Sequence, residues 1–218
     1  MENIRAAIFD LDGVIVDTAK YHFLAWKRLA EELDINFTLE DNERLKGVSR
    51  MRSLEIILEI GGKTYDQDFK EKLAASKNTW YKEYIEKMDE SELLEGAKEF
   101  IETLKNNGIK VALGSASKNA MMILTKLNIL NYFDAIIDGT KVKNAKPDPE
   151  VFLLGAEAVG AKPEDCIVFE DAEAGIEAAK RAGMIAIGIG KSDTLKDSDL
   201  QIDGLHEMDL EKFNLLFK

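Results

Sequence analysis

Apolar residues along the chain follow two rhythms, and the switch between them marks its organisation. Short apolar runs that can be fully buried strands lie at 4–9, 109–113, 135–137, 166–169 and 185–189. Each adjoins a turn signal or a stretch with helical spacing. Helices are expected near 97–105, 119–127, 149–159 and 174–181, and Gly108, Gly160 and Gly183 follow three of them as left-handed closing residues. Alternation of this kind predicts a doubly wound α/β core whose mostly parallel sheet is covered on both faces.

The segment from Thr18 to about Leu93 breaks the rhythm. It carries amphipathic helical patterns in place of buried strands. One holds Phe23, Trp26, Leu29, Ala30 and Leu33; a second holds Leu54, Ile57 and Leu58 before the turn Gly61-Gly62; a third spans 69–85 with Leu73, Trp80, Tyr81 and Tyr84. An α-helical domain over 17–94 is therefore inserted into a core made of 1–16 and 95–218, with hinges expected near 14–17 and 94–96. Trp26, Trp80 and Phe152 read as core residues.

Composition narrows the functions. With 45% hydrophobic and 32% charged residues the chain has the makeup of a packed globular protein. Its 29 basic and 41 acidic residues leave a formal net charge of -12, which argues against nucleic acid or an anionic membrane as partner. A small anionic substrate remains open, because a few converging cations can hold a phosphate. Cys166, the single cysteine, lies in an apolar run and reads as a buried small hydrophobe. No signal peptide and no membrane-length apolar stretch are visible, so a soluble cytoplasmic protein is expected.

Ligands of doubly wound sheets bind beyond the carboxyl ends of the strands. There the sequence places Asp10-Leu11-Asp12-Gly13-Val14, then Gly114-Ser115-Ala116-Ser117, then Lys146-Pro147-Asp148-Pro149 before a helix, then Glu170-Asp171. Carboxylates gathered so closely need a cation among them or must take up protons. Hard oxygen donors without a His or Cys cluster suit Mg²⁺. Ser115 can donate to a phosphoryl oxygen and Lys146 can neutralise its charge. Of Asp10 and Asp12, one can attack phosphorus while the other manages a proton. Any one such acid is ordinarily a helix cap or a loop residue, but capping alone does not place this set on four successive elements.

These motifs closely resemble those of the haloacid-dehalogenase superfamily of phosphotransferases, over essentially the whole chain and in the same order and spacing. The resemblance implies a Rossmann-like core with an inserted helical cap that closes over it. Asp10 becomes the nucleophile and Asp12 the general acid/base. One Mg²⁺ per active site would be held by Asp10, the Asp12 backbone carbonyl, Glu170 and Asp171, while Ser115 and Lys146 bind the transferring phosphoryl group. The segments Asp17-Thr18-Ala19-Lys20-Tyr21-His22, Lys46-Gly47-Val48-Ser49-Arg50 and Ser115-Ala116-Ser117-Lys118-Asn119 resemble the superfamily's sugar-phosphate mutases. That likeness implies interconversion of β-glucose 1-phosphate and glucose 6-phosphate, primed by glucose 1,6-bisphosphate. Arg50, Ser117 and Asn119 would hold the phosphate that is not transferring. Gly47, Val48, Ser49 and Ala116 would line the substrate site, and Thr18, His22 and Lys77 would assist closure and the positioning of Asp12.

The bland readings stand beside these. His22 can be a satisfied histidine on a packed helix, Lys77 ordinary helix surface, and Arg50 a helix-start residue or a partner of Glu55. Two departures from the mutases are Ala172, where serine is frequent, and Gly114, where alanine is usual and a change in loop flexibility rather than in chemistry is expected. A monomer acting on a small hexose phosphate is expected. A phosphatase of a small phosphomonoester shares every core residue and is the nearest alternative. A signalling receiver module also phosphorylates an aspartate, but it has no helical insert and carries its acceptor on a middle strand.

Overall fold

A computed structural model describes residues 5–45, 48–191 and 193–217. Gly47 therefore lies outside the described residues. The first strand, β1 (Ala6–Phe9), is buried along its whole length, which is why its sequence is an unbroken apolar run.

The chain then forms α1 (Ala19–Glu32), α2 (Leu39–Glu43), α3 (Arg50–Ile60) and α4 (Gln67–Ile85). Ser49 starts α3 by accepting from the Arg52 amide, and Asp66 starts α4 by accepting from the Phe69 amide. A reciprocal capping box between Thr38 and Asp41 opens α2. That helix went unforeseen because its five residues are too few to show a period. Trp26, Leu29 and Ala30 of α1 and Leu54 and Ile57 of α3 join Ile35 and Phe37 in a common core. On α4 the buried stripe is Ala74, Lys77, Tyr81 and Ile85. Its spacing is helical, and it puts a lysine where packing calls for an apolar residue. The surface reading of Lys77 is thus corrected: the residue is 2% exposed.

Strands β2 (Lys110–Gly114), β3 (Ala135–Ile137), β4 (Cys166–Glu170), β5 (Ile185–Ile189) and β6 (Leu200–Ile202) complete a six-stranded sheet in the order β3-β2-β1-β4-β5-β6. Every pairing is parallel. The edge strand β6 was not anticipated, since it is three residues long with an exposed Gln201 at its centre. Between and after the strands run α5 (Ala97–Asn106), α6 (Ala120–Lys126), α7 (Glu150–Val159), α8 (Glu173–Arg181) and α9 (Leu210–Leu215). The six-residue α9 was also missed. Gly108, Gly160 and Gly183 have the positive φ expected of them.

Alternate residues of β1 serve opposite faces of the sheet. Ala6 and Ile8 pack with Phe152 and Ala156 of α7 and with Ile176 and Ala179 of α8. Phe9 stacks on Phe169 at 4.8 Å, and Phe100 of α5 and Phe213 of α9 extend that aromatic cluster. Because β1 lies between β2 and β4, the strand order reverses beside it and opens a crevice at the carboxyl ends.

The chain packs as two compact units, Met1–Asp17 with Asp89–Lys218, and Thr18–Met88. The return segment joins the sheet unit through an antiparallel bridge from Leu93 to Val16 and a 2.9 Å bond from the Leu94 amide to the Ile15 carbonyl. Among the described residues, no helix is long and apolar enough to cross a membrane.

Candidate active site

Beyond Phe9 the amide of Asp10 still donates to the Phe169 carbonyl at 2.9 Å, so the ladder fixes this residue one step past the strand. The adjacent strand β4 ends in Glu170, and Asp171 follows. One carboxylate oxygen from each of Asp10, Glu170 and Asp171 lies within 4.8 Å of the others. Asp10 is 7% and Glu170 2% exposed. Asp12, half-buried in the turn after β1, is outside that carboxylate trio.

Lys146 enters from the loop before α7. Its Nζ donates to Asp10 Oδ1 at 2.5 Å and Glu170 Oε2 at 2.7 Å, and it lies 4.7 Å over the Phe152 ring. Burial alone would lower the ammonium's pKa, but attraction to Asp10 and Glu170 outweighs it and holds Lys146 above its ordinary range. The acids remain under strain. Burial and the charge of Asp10 push Glu170 up to about 7 despite Lys146. Burial, then repulsion from Glu170, Asp10 and Asp12, pushes Asp171 up to about 8. Three hard oxygen donors that resist ionising together, with one lysine among them, fit a divalent cation such as Mg²⁺.

Gly13 is required at this site twice over. Its φ is +76°, and a side chain there would run into the Asp171 carboxylate. At the end of β2, Ser115 is 2% exposed and its Oγ accepts from the Ser117 amide at 3.1 Å. The Ser117 hydroxyl accepts in turn from the Asn119 amide at 3.2 Å, just before α6. Ala116 is exposed between them. Gly114 corrects the expectation of a flexible loop. It is the last residue of β2, and a Cβ there would come within 2.8 Å of Phe152, so glycine makes room for the ring beneath Lys146.

The remaining candidates lie in the helical unit. Thr18 is buried, and its carbonyl accepts from the amides of Tyr21 and His22. Lys77 Nζ is 2.8 Å from His22 Nδ1, and lies 4.5 Å over the Trp26 ring and 4.7 Å over that of Tyr81. An ammonium can only donate, so Nδ1 accepts and the ring proton sits on Nε2. Burial first, then Lys77 and Arg50, hold His22 well below its ordinary pKa, which keeps the ring neutral. Arg50 is the first residue of α3, and burial lowers its pKa from the usual value. It is Arg52 that pairs with Glu55 and Glu59. Among the described residues Arg50 forms no ion pair. Val48 is exposed and Ser49 is the cap of α3.

Sequence reasoning missed Gly175 and the part played by Phe152. A lone glycine inside a helical pattern was the available signal for the first. Nothing announced the second, because a core phenylalanine and a lysine-supporting one look alike in sequence.

The sheet order, the acidic trio and its lysine define a class. The chain belongs to the haloacid dehalogenase-like hydrolases, whose family model matches residues 4–183. It is 47% identical over 210 residues to the β-phosphoglucomutase of Bacillus subtilis strain 168, covering 95% of this chain and 93% of that one. A crystal structure of β-phosphoglucomutase from Clostridium difficile superposes with a TM-score of 0.93 at 42% identity, over 98% of this chain and 97% of the other. The phosphorylated carbohydrates phosphatase of Thermotoga maritima is 35% identical over 184 residues, 83% of this chain and 82% of that protein.

Proposed function

We propose that the protein interconverts β-D-glucose 1-phosphate and D-glucose 6-phosphate through a phosphorylated Asp10 and β-glucose 1,6-bisphosphate. The observation that carries this reading is the 47% identity to a β-phosphoglucomutase across 95% of the chain. In the first half-reaction a carboxylate oxygen of phosphorylated Asp10 gives up its phosphoryl group to a hydroxyl of glucose 1-phosphate, while Asp12 takes the hydroxyl proton. The bisphosphate turns over. Asp10 then attacks the other phosphorus, the bond to the sugar oxygen breaks, and Asp12 returns the proton to that oxygen. Glucose 6-phosphate leaves, and Asp10 is phosphorylated again. Glucose 1,6-bisphosphate supplies the first phosphoryl group.

Ser115 and Lys146 hold the transferring phosphoryl oxygens. One Mg²⁺ held by Asp10, the Asp12 main-chain carbonyl, Glu170 and Asp171 supplies charge neutralisation when bound. Arg50, Ser117 and Asn119 hold the phosphate that is not transferring. Gly47, Val48, Ser49 and Ala116 line the sugar phosphate, and Thr18, His22 and Lys77 assist closure and place Asp12. The protein works as a monomer in the cytoplasm in this reading.

The test is conversion of β-glucose 1-phosphate with and without a trace of glucose 1,6-bisphosphate. The mutase forms glucose 6-phosphate after a lag that the bisphosphate removes. Release of inorganic phosphate without isomerisation would overturn this reading. It would favour the Mg²⁺-dependent phosphatase to which the Thermotoga maritima relative gives support.

A further inference from the structure

We propose that Gly175 is a positioning residue for the metal site, because its missing side chain leaves the space in which the Glu170 carboxylate is held. The inference rests on the metal-holding role proposed above for Glu170. Gly175 is buried in the first turn of α8, and its amide makes a 3.0 Å bond to the Ala172 carbonyl. Its φ is not in the left-handed region, so its backbone does not require glycine. Helix propensity favours alanine at such a position. What forbids alanine is the neighbour: a Cβ on Gly175 would overlap the carboxyl carbon, Oε2 and Cγ of Glu170.

The glycine in α7 is the contrast. A Cβ on Gly155 would meet Ile8 and Ala112 at 3.4 to 3.9 Å, an ordinary packing distance. Of these two helix glycines, the one in α8 abuts a charged group of the site.

Glu170 is thereby fixed from three sides. The Ala172 amide donates to Oε1 at 3.1 Å, Lys146 donates to Oε2 at 2.7 Å, and Gly175 closes the third side. Residue 172 has no hydroxyl to add a further bond, so the aim of this carboxylate depends on one main-chain amide, one lysine and the shape of the helix surface. A buried ligand turned from its direction by a methyl group loses metal affinity without any change in its own chemistry.

A double-mutant cycle on the full-length protein tests this. In Gly175→Ala, Mg²⁺ affinity measured by calorimetry should fall about 10- to 100-fold, the scale seen when groups that orient a ligand are lost. The metal-free protein should melt roughly 2–4 °C lower, although alanine is the better helix former. Glu170→Ala removes the obstructing carboxylate, so in that background Gly175→Ala should leave the melting temperature unchanged or raise it. Gly155→Ala should leave Mg²⁺ affinity unchanged and the melting temperature unchanged or raised. An unchanged Mg²⁺ affinity in Gly175→Ala, or the same melting loss in both backgrounds, would overturn the proposal. If Gly175→Ala fails to fold, a folded Glu170→Ala/Gly175→Ala protein supports it and an unfolded one rejects it. Metal binding and melting do not involve the sugar phosphate, so a failed isomerase assay would leave this result standing.

Discussion

Two buried lysines sit in opposite electrical settings. Lys146, in the sheet unit, donates to Asp10 and Glu170. Lys77, in the helical unit, lies over the Trp26 and Tyr81 rings and donates to a neutral His22, with Arg50 close enough to lower that histidine's pKa. Burying an ammonium is costly in either place. The first lysine is stabilised by anions that still exceed it in number. The second packs against the ring faces of Trp26 and Tyr81 and donates to an imidazole. Around Asp10, Glu170 and Asp171 the sheet unit thus gathers surplus acid and calls for a cation, whereas the basic half of the comparison is Lys77 and Arg50 beside a neutral His22. A divalent cation meets the demand of the acidic half.

Changing the proposed nucleophile breaks the acidic half outright. Asp10→Asn should lower turnover by at least about 10⁴-fold, the scale of removing a catalytic nucleophile, with an unchanged circular dichroism spectrum. Substantial activity in a preparation free of wild-type enzyme would remove Asp10 from that role. Asp12→Asn comes next, with a loss of about 10² to 10⁴-fold in kcat, as for a general acid/base. Its Mg²⁺ affinity should hold, because its carboxylate lies outside the carboxylate trio. Collapse of metal affinity would instead make the Asp12 side chain a ligand.

The acidic half was legible in sequence and the basic half only in part, for a physical reason. Strand ends in a doubly wound sheet are forced to one edge, so reading Asp10, Ser115, Lys146, Glu170 and Asp171 in order already gathers them. A helix imposes no such convergence. Lys77 reads as surface until its spacing from Ala74 and Tyr81 is matched to the buried stripe of α4. Steric roles were harder still. Gly114 suggested a flexible loop but is a strand residue beside Phe152, and Gly175 drew no notice. The short elements α2, β6 and α9 escaped because three to six residues cannot display a period.

Arg50→Ala sharpens the basic half. Enclosing the second phosphate without its cation should reduce hexose phosphate isomerisation by about 2–5 kcal/mol of transition-state binding. Acetyl phosphate, which has no second phosphate, should be hydrolysed almost as before. The informative quantity is the ratio of the two losses in one preparation. Equal losses would mean general damage, and no loss of either would make Arg50 an ordinary residue of the α3 start.

The smallest effect reads the acidic half without any substrate. In unfolded chains Glu and Asp ionise near 4.3 and 3.9, whereas burial and mutual repulsion hold Glu170 at about 7 and Asp171 at about 8 in the metal-free fold. Between those limits the native state binds more protons than the unfolded one, so stability must fall as pH rises. His22 acts in the opposite sense. Its pKa is depressed on folding, so its share is lost as pH falls below its ordinary value near 6.5. A window from about pH 6.5 to 8 therefore isolates the carboxylates. Across it the melting temperature of the chelated protein should drop by a few degrees, and Glu170→Gln should remove part of that slope. Mg²⁺ binds the ionised carboxylates, so it should raise the melting temperature most at the upper end and flatten the curve. A metal-free melting temperature that stays level or climbs over this window would show that the three carboxylates are not crowded in solution, and the contrast between the two buried lysines would lose its acidic side.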